Sequence, residues 1–439
     1  MRAAPERLRL RLPRALLDPR ISGLPVDSAD GLVALELEQR QGRITALRPL
    51  AAADPTADPA ADPTAELLPL ALTPLVEPHA HLDKCFTAAA FPNPEGTIAG
   101  AMARNRQEAE QRSGDQVLER AERALERAWR HGLRAIRSHI DSGGPATRPS
   151  WEALLELRQR WAGRVELQLV ALVPLAHWSS GEGEELARWV ADRGGWLGGV
   201  LGPPYGRLRS DRDALGALLG LAERLGTGVD LHVDEADDQP GRGVTLVAEV
   251  AAERGCAVPI TCSHAASAAL LGPRRLERLA EQLAAAGIAV VALPLTNLWL
   301  LGRRPERTPV LRVQAPIRSL QRAGVLVAVG GDNVQDPWYP GGDFDPIELL
   351  RLAPLTSHLW PAQRQGLAPF STAPARLLGL EWDGLVREGG PADLVLLAAS
   401  SWSDLLARSP QRLVLRQGLC LPPPTQQQPS PLLPDVSMP

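Results

Sequence analysis

The sequence predicts an α/β protein: a (β/α)8 TIM-like barrel with a small β-sandwich domain built from its N- and C-terminal segments. Between residues 70 and 332, eight short Val/Leu/Ile/Ala runs alternate with longer amphipathic stretches rich in Glu, Arg, Ala and Leu, the strand count of such a barrel. Short β-like runs reappear at both ends of the chain. No G-x-G-x-x-G follows the first strand, which weakens the runner-up, a doubly wound open sheet.

In chain order, residues 32–48 ("LVALELEQRQGRITALR") alternate apolar and polar around a Gln-Gly turn and read as a β-hairpin. "ADPTADPAADPTAE" follows, and proline at that density excludes helix and sheet, leaving an extended connector or exposed loop. The predicted barrel strands are 70–80, 134–141, 165–174, 196–202, 228–235, 257–263, 288–295 and 325–332. Helical stretches such as "DQVLERAERALERAWRHG" and "RRLERLAEQLAAAG" separate them, several closed by glycine. "WDGLVREGGPADLVLL" then returns to short strands, and the ending "LPPPTQQQPSPLLPDVSMP" reads as disordered. The expected division is 1–69 for the first part of the sandwich with its connector, 70–380 for the barrel, 381–422 for the rest of the sandwich and 423–439 for the tail.

Composition narrows the function. A chain of 439 residues with 44% hydrophobic and 22% charged residues is an ordinary globular protein. A net charge of −4 offers no broad attraction for nucleic acid or anionic membrane. No apolar run is long enough to span a bilayer, and the basic start "MRAAPERLRLRLPRALL" lacks the apolar core of a secretory signal. Four cysteines without a C-x-x-C pair are no disulfide framework. A reducing cytoplasm is the simplest address, a small molecule the simplest partner, and a homo-oligomer remains compatible.

Barrel chemistry collects at the C-terminal ends of the strands. Of the eight histidines, five fall at predicted ends: His79, His81, His139, His232 and His264. Residues i and i+2 of a strand share a face, so His79 and His81 both point into the barrel. With His232 from the opposite wall and Asp332 closing the ring, they form a site for one divalent metal. A lone H-x-H is weak evidence; the matching strand ends strengthen it. His139 and Asp141 read as support or packing, and His131, His177 and His358 as ordinary.

The motifs "EPHAHLD", "RSHID", "DLHVDEADD", "TCSHAASA", "PLTNLWLLGR" and "GGDNVQDPWYPGG", in this order, resemble the amidohydrolase superfamily, and within it the bacterial cytosine deaminase family. The resemblance implies that His79, His81, His232 and Asp332 hold one Fe2+ or Zn2+. It implies Glu235 as proton shuttle, His264 as the group that steadies the attacking hydroxide and the forming oxyanion, and Trp338 beside the substrate ring. The implied reaction is hydrolytic deamination of an amino-substituted N-heterocycle, a cytosine-like pyrimidine first, with release of ammonia. Asp332 shares the acid–base work with Glu235.

Binuclear relatives bridge two metals with a carboxylated lysine from strand 4, but strand 4 here, "WLGGVLG", has none. Lys84, the only lysine in the chain, follows strand 1 and is expected to reach over the pocket toward the substrate. Two departures bear on substrate. The stretch after strand 3, "VALVPLAHW", lacks the glutamine that reads a pyrimidine amide edge, and Asn333 stands where the family carries a second aspartate. The alternatives are therefore a hydrolase of cyclic amides or of s-triazine N-alkylamines on the same fold, or a non-catalytic binding or scaffold descendant.

Overall fold

The structure, a computed structural model, describes residues 2–24, 30–50, 68–304 and 306–423. The Asp-Pro connector and the expected tail from residue 424 onward lie outside them. Eight parallel strands form the barrel: β1 (Leu75–Ala80), β2 (Leu133–Asp141), β3 (Glu166–Pro174), β4 (Trp196–Leu201), β5 (Val229–Val233), β6 (Ile260–His264), β7 (Ala289–Ala292) and β8 (Val327–Val329). Each pairs with the next in sequence. A parallel bridge between Ala80 and Asp332 joins the two ends, with the Asp332 amide donating to the His79 carbonyl at 3.1 Å. Glu77 on β1 braces the same seam: its carboxyl accepts from the amides of Gly331 (2.9 Å) and His79 (3.1 Å).

All eight predicted barrel strands are present, most of them with shifted ends, and two of the shifts bear on the site. The run 70–80 is two strands, because Pro74 has no N–H to donate. Leu70–Leu72 pairs antiparallel with Leu394–Leu397 in the second sheet, and β1 begins at Leu75. The last strand stops at Val329, so Asp332 lies beyond it in the left-handed region (φ 65°) rather than at its end.

The second sheet takes the form of one continuous eight-stranded order drawn from both ends of the chain. The expected hairpin is there as Leu32–Arg40 and Arg43–Pro49, turned by Gln41 and Gly42 at φ 51° and 73°, the conformation a two-residue hairpin needs. Sequence reading missed its neighbour, Arg7–Pro13. There "RLRLRLP" is a period-2 strand that buries Leu10 and Leu12, a signal masked by its resemblance to a basic leader.

The two sheets share one hydrophobic cluster. Helix Gly114–His131 opens with a capping box between Ser113 and Gln116 and buries a stripe of Val117, Ala121, Ala124, Leu125 and Ala128, the spacing of a single helical face. It ends at Gly132 (φ 92°), where a Cβ would stand 2.5 Å from the Val395 side chain of the terminal sheet. Glycine is thus required there twice, for the backbone turn and for the close approach. Arg412 of the terminal sheet grips Asp345 at the start of helix Pro346–Ser357 with two 2.6 Å bonds. Among the described residues, no helix is long and apolar enough to cross a membrane.

Candidate metal centre and active site

The four predicted ligands converge. Asp332 Oδ1 lies 3.4 Å from His79 Nε2 and 3.3 Å from His81 Nε2, and His81 Nε2 lies 3.3 Å from His232 Nε2. Ligand atoms around a tetrahedral zinc with bonds of ~2.1 Å sit roughly 3.4 Å apart, so these separations suit one cation. All four side chains are buried, and among the described residues neither oxygen of Asp332 nor Nε2 of His79 has a hydrogen-bond partner. Unpaired buried lone pairs are costly, and a bound cation would satisfy them together.

Protonation agrees. Burial, reinforced by neighbouring imidazoles, holds His79 and His232 well below the usual histidine range, so they are neutral as ligands must be. Burial pushes the Asp332 carboxyl upward, but His81 and His264 outweigh it and hold the group below its ordinary value. Two neutral imidazoles and one carboxylate therefore face a single point, with the His81 ring beside them.

Two further groups flank the cluster. Glu235 sits two residues past β5, its Oε1 without a hydrogen-bond partner and 3.7 Å from His264 Nδ1. Burial first, then the nearby Asp332, raises its carboxyl well above the usual range, with Lys84 opposing. His264 Nδ1 lies 3.0 Å from Asn297 Nδ2. An amide nitrogen can only donate, so Nδ1 accepts and Nε2 carries the ring proton, a donor with no partner. Asp234, His264 and Asp332 all have left-handed backbones (φ 55°, 69° and 65°). For non-glycine residues this costs of order 1–3 kcal/mol each and is concentrated at functional sites.

Lys84 is buried and paired with Asp141 at 2.9 Å, with its ammonium 5.9 Å from the centre of the Trp338 ring. Asp141 also receives Asn105 (3.0 Å) and Arg112 (3.1 Å), partners that sequence reading did not supply. Asn333 does not stand alone either: its Nδ2 donates to Asp336 at 2.7 Å, while the other oxygen of Asp336 accepts from the Trp338 amide at 2.8 Å. Burial raises Asp336 to about 6, with Lys84 pulling the other way.

Sequence reading took His139 as support or packing but missed the other groups beneath the ligands. His139 stacks on His79 with ring centres 3.9 Å apart. His79 Nδ1 is 2.9 Å from Ser263 Oγ, which donates to Asp230 Oδ1 at 2.8 Å. Arg137 holds the other oxygen of Asp230 at 2.7 Å. A signal exists: Arg137 and Asp230 each precede a site histidine by two residues, "R-x-H" and "D-x-H", and so share its face.

A closed parallel barrel with three imidazoles and a carboxylate meeting at its C-terminal mouth defines a class, the metal-dependent barrel hydrolases. A family model described as Amidohydrolase family matches residues 93–421. A pterin deaminase from Rhizobium rhizogenes is 35% identical over 404 residues, covering 91% of this chain and 90% of that protein. Among solved structures, 5-methylcytosine deaminase from Klebsiella pneumoniae liganded with 5-fluorocytosine superposes with a TM-score of 0.78 at 28% identity, covering 95% of this chain and 97% of that one. N-isopropylammelide isopropylaminohydrolase from Burkholderia multivorans gives 0.67 at 27% identity, covering 88% and 94%. The chain belongs to the amidohydrolase family, and it is a hydrolase of carbon–nitrogen bonds.

Proposed function

We propose that this protein is a hydrolytic deaminase of an aminopyrimidine ring, free as in cytosine or fused as in pterin, working with one divalent cation, Fe2+ or Zn2+. The observation that carries the reading is the convergence of His79, His81, His232 and Asp332 beside two unsatisfied groups, Glu235 and His264. The bound cation supplies Lewis acidity, lowering the pKa of water from 15.7 to about 7.

The remaining work falls to side chains of this chain. Glu235 takes the proton from the attacking water and delivers it to the ring nitrogen next to the carbon under attack. His264 Nε2–H donates to the negative charge that develops there. Asp332 and Glu235 pass the second proton of that water from the newly added hydroxyl to the exocyclic amine, the C–N bond breaks, and ammonia leaves as the ring carbonyl forms. Trp338 packs against the ring, with Lys84 and Asn333 at its edge; the fixed partners of Lys84 (Asp141) and Asn333 (Asp336) support a preorganised wall. The 35% identity to a pterin deaminase favours adding the fused ring to the cytosine-like substrate. We also place the protein in the cytoplasm, which its four unpaired cysteines suit.

The test is a panel of cytosine, 5-methylcytosine, pterin, amino-triazines and cyclic ureas with metal-loaded protein. Ammonia with an intact ring is expected from an aminopyrimidine. A ring-opened acid, or an alkylamine from an N-alkyl triazine with no ammonia elsewhere, would replace this reading. Glu235→Gln should lower kcat by roughly 10²–10⁴-fold while metal analysis finds the cation still bound; loss of metal would mean Glu235 is a ligand.

A further inference from the structure

Three histidines face the cation site, yet their second ring nitrogens differ. His81 Nδ1 and His232 Nδ1 have no hydrogen-bond partner among the described residues. His79 Nδ1 has Ser263 Oγ at 2.9 Å, and Ser263 has Asp230 Oδ1 at 2.8 Å.

The direction of that chain follows from its buried end. Asp230 Oδ2 accepts from Arg137 Nη1 at 2.7 Å, a guanidinium–carboxylate ion pair. Arg137 is completely buried and fixed in turn by Gln168 Oε1 at 2.7 Å and Thr261 Oγ1 at 3.2 Å. An ionised carboxylate only accepts, so the Ser263 hydroxyl must give its hydrogen to Asp230. Its remaining capacity toward His79 is to accept, and the ring proton of His79 therefore sits on Nδ1. That leaves Nε2 as a bare lone pair, and Nε2 is the atom with no partner, 3.4 Å from Asp332.

We infer that Ser263 and Asp230 are positioning residues for metal binding: a relay from Arg137 on β2 through β5 and β6 fixes the tautomer and aim of His79 on β1. The inference rests on the metal reading above. Partners of ligand histidines typically tune affinity or activity by 10–100-fold.

The experiment uses full-length protein, stripped with a chelator and reloaded with Zn2+ or Co2+. In competition with a chromophoric chelator, Ser263→Ala should bind Zn2+ about 10–100-fold more weakly than the parent, with the metal-free unfolding midpoint little changed. Ser263→Thr, which keeps the hydroxyl, should recover most of the affinity, and the Co2+ visible spectrum should change in the alanine variant alone. Equal affinity in parent and Ser263→Ala, or equal loss in both variants, would overturn the assignment.

A second measurement needs no change at Ser263. In metal-free protein labelled with 15N-histidine, the His79 signals, identified by their absence in His79→Gln, should report a protonated Nδ1. A protonated Nε2 would refute the relay outright. A parent protein that binds no divalent cation would sink the proposed function instead, and the nitrogen shifts would still decide the relay.

Discussion

Two buried polar clusters occupy the same barrel, one at its mouth and one deeper within, and they are built on opposite rules. In the deeper one, Arg137 and Asp230 satisfy each other, Gln168, Thr261 and Ser263 take up further hydrogen bonds, and Arg137 also reaches the Leu377 carbonyl. At the mouth, both oxygens of Asp332, Oε1 of Glu235, and Nε2 of His79 and His264 are buried and have no hydrogen-bond partner among the described residues. Both clusters bear the desolvation of burying charge; only the deeper one recovers it within the protein. The lesson is that unsatisfied groups converging on one point, more than buried charge as such, mark where this molecule expects something else to bind.

The comparison can be broken most decisively at Asp332. Asp332→Ala should leave the protein without tightly held metal and with turnover at background, while the metal-free unfolding midpoint moves little, since the carboxylate gives up no hydrogen bond among the described residues. Metal analysis and thermal unfolding check this together. Arg137→Met should do the reverse in kind: stranding Asp230 without its guanidinium costs about 3–5 kcal/mol of stability, read from denaturant unfolding. Should Asp332→Ala destabilise the metal-free protein as much as Arg137→Met, the contrast between the clusters fails.

A smaller effect sharpens the same rule at the junction with the terminal sheet. Burial pushes Asp345 upward, but the Arg412 guanidinium prevails and holds it below the usual carboxylate range. A carboxyl depressed in the folded state stabilises above its unfolded pKa, and the benefit disappears as pH falls through the folded value. Asp345→Asn should therefore cost on the order of 1–3 kcal/mol at neutral pH. The gap from the parent should narrow once pH drops below about 4, as urea titrations at pH 7 and in strong acid would reveal.

How much of this was legible in the sequence follows from what each group does. His79, His81, His232 and Asp332 were readable because imidazoles have no propensity reason to gather at strand ends, and alternation puts His79 and His81 on one face. Glu235 and His264 followed from resemblance, and the structure sets them 3.7 Å apart. Ser263, Asn297 and Asp336 were not readable, because one serine, asparagine or aspartate in a loop or strand resembles any other until its partner is known. Lys84 stood out by rarity, but its pairing with Asp141 depends on β1 and β2 lying side by side. Arg7–Pro13 was missed for a different reason, since its arginines drew attention to charge rather than to the leucines between them.

The seam of the barrel carries one more consequence. His79 and Asp332 stand at opposite ends of the ring, joined by a single backbone hydrogen bond and braced by Glu77. While the polypeptide is being made, the histidines on β1 emerge long before the aspartate that completes the set. Contacts so distant along the chain form slowly, because the intervening loop must close first. The cation can thus lock a finished ring but cannot nucleate one, and a chain truncated ahead of β8 would keep its imidazoles without the means to hold what they are meant to grasp.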